Sequence, residues 1–407
     1  MRIPQELVDT IISHLKHGDD LITAYCLLQA SPSVFSRQIC LNLHDDLVCL
    51  SAGDSGYTTL AAISRLCPSI YQHIHQLQIE RSPTSELHPD EYALPAILDA
   101  CAGLRALHIR SVPHNDSWKT RFPDAHRRAI YQSMQRPTLG TLSLQGFSFG
   151  PSAIMELGAL NMPPELKTIR LETCLLRSGN YFMTQPSIAD GAEGGAPSVR
   201  EFACDQYSLQ FARLLFRAPR RYPFGELRAL VFTFTTGGDH DGDQERLRQL
   251  LRANPRLEDL TLRPALSPLP IQDISEGLAL RSLTLDYSPR FPGCDPRHIA
   301  RILHSFNTSS ERTLETFRLV GVAKVEGVVT ESAPDAWPDI DAALCRFPAL
   351  KRVEFVNPER IPATVDLTLV MQVKKREEGH MRAILGKRLP STRARGILDI
   401  TFDYHGS

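Results

Sequence analysis

The sequence predicts an α/β fold in which a short helical module precedes an irregular array of strand-and-helix units. One phrase carries this prediction: an apolar residue, two residues of any kind, a second apolar residue, one residue of any kind and a third apolar residue. It occurs ten times between residues 74 and 355, with start-to-start spacings of 23 to 36 residues, and another copy begins at Ile397. Because no single unit is large enough to bury its own apolar face, the units have to stack on one another.

The repeated phrase has the alternation of a β-strand. Its last two apolar positions are separated by one residue, which is the period-two pattern of a strand with one buried face. The copies are IHQLQI, LRALHI, LGTLSL, LKTIRL, the weaker VREFAC, LRALVF, LEDLTL, LRSLTL, LETFRL and LKRVEF, followed by ILDITF. We therefore expect a parallel sheet in which the first two apolar anchors of each phrase are buried.

Amphipathic periodicity predicts helices between the strands. The helical stretches are residues 124–136, 206–217, 243–253, 295–306 and 339–347. Proline precedes several of the strands, in LCPSI, ANPRLEDL and RFPALKRV, and marks the junction because it cannot continue a helix. Residues 178–197, with GAEGGA at their centre, are predicted to be a loop insertion. The basic stretch 374–395 has an apolar face and is predicted to be a closing helix that precedes a final strand.

Residues 74–402 resemble the leucine-rich repeat family through these LxxLxL phrases. The resemblance implies a solenoid in which the phrases form a parallel β-sheet that lines a concave face. The family pattern places Asn or Cys at the ninth position, but here only Cys174 in LKTIRLETC satisfies it, and the other phrases depart from the pattern. We therefore expect a leucine-rich-repeat-like array that is irregular. An ordinary α/β domain with strands of this composition remains the alternative.

The residues that alternate with the anchors are expected to point away from the core. They form a mixed-charge surface on the predicted concave face, which suits a protein partner. The predicted substrate-binding residues are His108, Arg110, Arg170, Glu172, Arg263, Asp286, Arg318, Arg352 and Glu354. The alternative is that these side chains only solvate the sheet.

The first forty residues lack the repeat and are predicted to form three short helices. Pro4 fits the first turn of the first helix, and Leu7, Ile11 and Leu15 form one apolar stripe along it. Three helices this short bury little apolar surface alone, so they need a partner surface, either the array or another protein. Residues 41–73 are predicted to be a linker or capping segment before the array at 74–407.

The segments IPQELVDTIISHL (3–15) and DDLITAYCLLQASPSVFSRQ (19–38) resemble the two halves of the F-box. Two features depart from that family: the tryptophan usual in the second half is absent, and Gln29 and Ala30 replace a commonly basic pair. The resemblance implies that the module docks on a Skp-family adaptor of a cullin-RING (SCF-type) ubiquitin ligase. The chain would then be the substrate-recognition subunit, as in fungal F-box proteins with leucine-rich repeats. The implied adaptor-binding residues are Pro4, Leu7, Ile11, Leu15, Leu21 and Leu28. The alternative is a non-catalytic repeat scaffold whose degenerate F-box only caps the array.

Composition narrows the class of partner. The chain has 407 residues, and 45 Lys and Arg balance 46 Asp and Glu, so it lacks the basic surplus typical of nucleic-acid binding. No apolar stretch approaches the roughly 18 residues that span a bilayer. The nine cysteines include no CxxC pair, which indicates an intracellular protein, cytoplasmic or nuclear, and we expect no metal site and no cofactor.

One motif suggests an enzyme. GFSFG at residues 146–150 fits the G-x-S-x-G nucleophile elbow and would place Ser148 on an exposed turn. No order of later Asp and His residues typical of hydrolases stands out, so a serine hydrolase is a remote alternative. We expect the protein not to be an enzyme.

Overall fold

A computed structural model of the chain contains two compact units. The first comprises Met1–Val199 with Tyr207–Pro223, and the second comprises Arg200–Gln206 with Phe224–Ser407. The residues that the structure describes are 47–51, 56–81, 89–111, 116–176, 198–205, 207–215, 226–234, 240–263, 278–287, 296–306, 311–321, 336–361 and 367–406. The predicted three-helix module at 1–40, with its adaptor-binding residues, and the predicted loop insertion at 178–197 lie outside these ranges.

The first unit is built on parallel strands that follow one another in chain order. Each strand pairs in parallel with the next along its full length, as the spacing of the repeated phrase predicts. The strands are β1 (Leu47–Ser51), β2 (Gln76–Arg81), β3 (Ala106–Ser111), β5 (Thr141–Gln145) and β7 (Thr168–Glu172).

Helices connect the strands of the first unit and cover the buried side of its sheet. Neighbouring helices also pack on one another, notably Leu94–Ala100 on Asp124–Met134 and Pro151–Gly158 on Ser208–Leu215. The helices are α1 (Gly56–Leu66), α2 (Leu94–Ala100), α3 (Trp118–Arg121), α4 (Asp124–Met134), α5 (Pro151–Gly158) and α6 (Ser208–Leu215), with 3₁₀ turns at Pro68–His73 and Pro89–Ala93.

A second, smaller parallel sheet lies in the same unit. It consists of β4 (Asp116–Ser117), β6 (Phe147–Phe149) and β8 (Leu175–Leu176). Trp118 lies at its centre, with ring centroids 5.0 Å from Phe147 and 5.3 Å from Phe149. The Trp118 indole donates a hydrogen bond of 2.9 Å to the Tyr131 hydroxyl, so the buried N–H is satisfied. This aromatic cluster fills the space between the strand ends and α4.

The second unit repeats the same plan. Its strands also pair in parallel in chain order, each with the next. The strands are β9 (Glu201–Asp205), β10 (Ala229–Thr233), β11 (Asp259–Arg263), β12 (Ser282–Asp286), β13 (Thr316–Val320), β14 (Arg352–Ile361) and β15 (Leu398–Gly406). The helices are α7 (His240–Ala253), α8 (Pro296–His304), α9 (Trp337–Cys345), α10 (Leu367–Arg388) and α11 (Pro390–Ala394). The predicted closing helix and final strand correspond to α10, α11 and β15.

The apolar anchors of the repeated phrase form the core, as predicted. In each of the ten copies from residue 74 onward, all three anchors are at most 3% exposed. The weak copy obeys the same rule, since Val199, Phe202 and Cys204 are buried. In the last copy Ile397 is only half-buried, whereas Ile400 is 5% exposed. The predicted α/β class and the parallel pairing of the phrases are confirmed.

Backbone hydrogen bonds and turns recur at fixed positions of the phrase, as the buried anchors do. The second residue of a phrase accepts two hydrogen bonds from the next phrase: Glu258 and Asp259 both donate to the Arg228 carbonyl at 2.9 Å. After several strands the chain turns through the left-handed region, at Gly146 (φ 81°), Thr173 (φ 56°) and Gly321 (φ 79°). All three occupy the eighth position of their phrase. These three strands, β5, β7 and that ending at Val320, therefore end at the seventh position because the chain turns away there.

Arginines of one repeat donate hydrogen bonds to carbonyls at the carboxyl end of the helix in the preceding repeat. The last carbonyls of a helix have no partner within the helix. Arg136 donates to the carbonyls of Leu98, Asp99 and Cys101 at the end of α2. Arg395 plays the same part after α9, where it donates to Phe347 at 3.1 Å. These bonds tie successive repeats together in addition to the sheet.

The parallel strands begin earlier than the sequence indicated. The structure places β1, paired with β2, inside the stretch 41–73 that we expected to be a linker or capping segment. Val48 and Leu50 are buried at the second and third anchor positions. The repeated phrase is not recognisable here in the sequence because its first anchor position, residue 45, is Asp instead of an apolar residue. Within this stretch, Leu47–Ser51 form a strand and Gly56–Leu66 form a helix, which extend the array by one strand and one helix.

Candidate protein-binding face

The side of the strands opposite the buried anchors is called the open face here. It consists of the third, fifth and seventh residues of each phrase, which alternate with the anchors. On β2, for example, Gln76, Gln78 and Glu80 are partly exposed whereas Leu77 and Ile79 are buried. Each unit has its own open face, and the two are described separately.

The structure places all nine predicted substrate-binding residues at open-face positions. Four lie in the first unit: His108 and Arg110 on β3, and Arg170 and Glu172 on β7. The other five lie in the second unit, at Arg263, Asp286, Arg318, Arg352 and Glu354. Eight of the nine are partly or fully exposed, whereas Asp286 is 8% exposed.

Ion pairs between neighbouring strands connect the charged residues of the second unit. The Arg263 Nε lies 2.9 Å from Asp286 Oδ2, and this carboxylate belongs to the next strand. Asp286 is 8% exposed, and its carboxylate accepts a hydrogen bond from the Arg263 Nε. An unpaired carboxylate in that position would carry a desolvation cost.

A longer chain of ion pairs runs over the last strands. Glu354 is approached by Arg318 at 3.4 Å and by Arg352 at 2.7 Å, and Arg352 also lies 2.9 Å from Asp399. The hydrogen bond to Asp399, together with Glu354, raises the pKa of Arg352. The arginines on the second open face are therefore neutralised by acids of the same sheet.

The open face of the first unit is organised differently. In register, His108 lies opposite Ser143 on β5, and Ser143 lies opposite Arg170 on β7. Burial, and then the charge of Arg170, lower the pKa of His108 below its usual value, so the imidazole is neutral at pH 7. Arg170 is exposed, and no acid of the described residues forms an ion pair with it.

The next row of this face contains both signs of charge. Glu80, Arg110, Gln145 and Glu172 follow one another across the strands. The Gln145 amide donates a hydrogen bond of 3.2 Å to Glu172. The Nε of Arg110 is buried without a hydrogen-bond partner among the described residues. The face thus combines two arginines, two glutamates and several uncharged donors.

Several of these residues were not among those predicted from the sequence. Ser143, Gln145, Gln78 and Glu80 on the first open face, and Asp399 on the second, occupy the same positions as the predicted residues. Aligning the repeated phrases by their anchors would have found them, because each lies at the third, fifth or seventh position. Which charges pair could not be found this way, since pairing depends on side-chain conformation.

The nucleophile-elbow interpretation of Ser148 is wrong in its geometry. We expected an exposed turn, but Ser148 lies in the short strand β6 and is 2% exposed. The neighbouring Phe147 and Phe149 pack against Trp118 and hold the strand in the core. The left-handed turn comes earlier, at Gly146. Substrate has no access to a hydroxyl placed in this way.

A buried polar cluster lies on the core side of the first unit. Arg81, at the end of β2, forms an ion pair with Glu91, and both side chains are at most 3% exposed. The Arg81 guanidinium also lies 5.6 Å from the centre of the Phe122 ring. Burial, and then the charge of Arg81, lower the pKa of the nearby His126. Such a pair requires its partner, because either charge alone would be buried uncompensated.

The described residues were also compared with the requirements of a metal site and of a membrane-spanning helix. Within the ranges given above, no three side chains among His, Cys, Asp and Glu are grouped in a way that could hold a metal ion. No helix in the described part of the chain combines the length and apolar character that a membrane span requires.

No protein-family model matches the sequence, and no curated protein matches it significantly.

Proposed function

We propose that the chain is a non-catalytic substrate-recognition subunit of a cullin-RING ubiquitin ligase. In this proposal residues 1–40 bind a Skp-family adaptor, and the open face of the repeats binds a protein target. Ubiquitin transfer itself would be carried out by other subunits of the ligase. The observation that carries the recognition half is the division of the phrases into buried anchors and alternating positions that are mostly polar. It leaves a row of polar side chains across successive strands.

The adaptor half rests on the amino-terminal sequence. Leu7, Ile11 and Leu15 form one stripe on the predicted first helix, preceded by Pro4 and Glu6 as in the F-box. Burying three such side chains would contribute about 1.5–3 kcal/mol each before the cost of association. Because association itself costs about 4–15 kcal/mol, the second and third helices have to add to the buried surface.

The experiment is co-purification with a Skp-family adaptor. The double variant Leu7→Asp with Ile11→Asp places two charges in the proposed interface and should abolish capture, since an unpaired buried charge costs several kcal/mol. The matched control is Thr10→Asp with Ser13→Asp, which adds the same charges to the same predicted helix away from the stripe. The control should capture the adaptor as the unmodified chain does.

The scaffold alternative predicts a different pattern. If the helices only cap the array, the unmodified chain captures no adaptor, and the Leu7 and Ile11 substitutions lower the melting temperature instead. Thermal melting of both double variants therefore accompanies the co-purification. Failure of the unmodified chain to capture any Skp-family adaptor would end the ligase proposal and leave a repeat scaffold.

A further inference from the structure

We propose that Arg170, with Ser143 and His108 in the same row on one side of it, anchors a carboxylate side chain of an acidic segment in the protein target. The site lies wholly on the open face of the first unit, on β3, β5 and β7. This inference rests on the proposed function only in assuming that the open face binds protein. It does not depend on adaptor binding by residues 1–40.

The contrast between the two open faces carries the proposal. In the second unit Arg263, Arg318 and Arg352 each form an ion pair with an acid on a neighbouring strand. Acids of the same sheet compensate the charge of those arginines, so they attract an external anion less strongly. Arg170 is exposed, and no described residue gives it an ion pair or a hydrogen bond. Its charge is therefore unsatisfied within the part of the chain that the structure describes.

The nearest acid on the same strand is already engaged. Glu172 lies two residues after Arg170 and accepts a hydrogen bond from the Gln145 amide at 3.2 Å. In the second unit the equivalent spacing does give an ion pair, between Arg352 and Glu354 at 2.7 Å. The guanidinium of Arg170 is thus free to use its fork of N–H donors on a carboxylate from outside, which is the geometry it binds best.

His108 and Ser143 supply the rest of the site. Both lie in the same row as Arg170, and both are partly exposed. A neutral imidazole and a hydroxyl can each donate one hydrogen bond to a bound oxygen without adding a charge. The row therefore offers one cation with uncharged donors on the neighbouring strand β5 and on β3.

The surrounding acids favour a single negative charge in the ligand. Glu172 lies in the adjacent row on the same strand as Arg170 and repels anions, whereas Glu80 lies further away, on β2. A carboxylate carries one charge, whereas a phosphorylated side chain carries about −1.5 to −2 at neutral pH, and nucleic acid carries a charge on every phosphate. One exposed arginine with a glutamate two residues away on the same strand matches a carboxylate in an extended acidic peptide better than either.

The test measures peptide binding to the purified full-length chain by fluorescence anisotropy. The probe is a fluorescein-labelled peptide of alternating Glu and Ser, compared with its Gln-Ser counterpart and with a phosphoserine-Gly peptide. The variant is Arg170→Gln. The matched control is Arg128→Gln, since Arg128 is an exposed arginine of the same unit that lies on α4 instead of on the open face.

The chain should bind the Glu-Ser peptide in a saturable manner, and Arg170→Gln should weaken that binding by about tenfold or more, as expected for a lost charge-assisted hydrogen bond. Arg128→Gln should leave the affinity unchanged. Equal affinity for the Gln-Ser peptide, no saturable binding of the Glu-Ser peptide, or an unchanged affinity after Arg170→Gln would overturn the proposal. Tighter binding of the phosphoserine peptide would overturn the choice of carboxylate. Adaptor capture is measured separately. A negative result in the peptide-binding test therefore leaves the ligase proposal intact, and a failure to capture the adaptor leaves the proposal for Arg170 intact.

Discussion

Two arginines, one on each open face, should respond differently to the same substitution. Arg263 lies 2.9 Å from Asp286, whose side chain is 12% exposed, whereas Arg170 has no such partner among the described residues. Arg263→Ala removes the group that covers a largely buried carboxylate. Arg170→Ala removes an exposed side chain that the sheet does not use.

The magnitudes follow from this geometry. A hydrogen bond between charged groups contributes about 1.5–3 kcal/mol net. Because the Arg263 side chain is 37% exposed, solvent screens part of this energy, and we expect Arg263→Ala to lower the free energy of unfolding by about 1–2 kcal/mol. Arg170→Ala should change it by less than about 0.5 kcal/mol, as is usual for surface substitutions.

Urea denaturation followed by circular dichroism measures both changes. A double-mutant cycle with Asp286→Ala then isolates the pair and should give a coupling energy of about 1 kcal/mol. A coupling near zero would show that the ion pair contributes nothing. An Arg170→Ala variant as unstable as Arg263→Ala would refute the distinction between a structural and a binding arginine.

Three further predictions concern the core and the backbone. Leu260→Ala should lower the free energy of unfolding by about 2–5 kcal/mol because Leu260 is a fully buried anchor. Thr261→Ala, on the open face of the same strand, should lower it far less in the same urea titration. Thr173→Gly should raise the free energy of unfolding by about 0.5–1 kcal/mol, since it relieves a left-handed backbone at φ 56°, and a lower stability would contradict this. Burial and the charge of Arg81 lower the pKa of His126 in the folded chain, so stability should be complete above pH 6.5 and fall as the pH decreases below it. Melting temperatures across this range should be less sensitive to pH in His126→Gln, and equal sensitivity would exclude the effect.

The core of the array could be predicted because its signal is local and repeated. Each phrase places three apolar residues at fixed spacing, and burial of the anchors follows from strand periodicity alone. The helices were predicted within a few residues for the same reason: residues 124–136 were expected and Asp124–Met134 is observed. Even VREFAC, where Ala203 breaks the polar alternation, keeps its place in the sheet.

What the sequence could not provide depends on context beyond the phrase. β1 was missed because Asp45 replaces the first anchor, yet pairing with β2 and burial of Val48 and Leu50 suffice to form the strand. Ser148 was misplaced because the motif gives no information about the aromatic cluster that buries it. On the open face, the positions of the nine predicted residues follow from alternation, but their pairing depends on which strands are adjacent and on side-chain conformation. Arg318 and Arg170 both occupy the fifth position of their phrases, yet Arg318 forms an ion pair with Glu354 and Arg170 has none among the described residues.

Association of the purified full-length chain with a purified Skp-family adaptor tests the central claim most directly. Size-exclusion chromatography with light scattering, followed by titration calorimetry, would show whether a stoichiometric complex forms and with what affinity. The account predicts a complex that survives Thr10→Asp with Ser13→Asp and is lost with Leu7→Asp and Ile11→Asp. Elution of the two unmodified proteins as separate species at every concentration would contradict it.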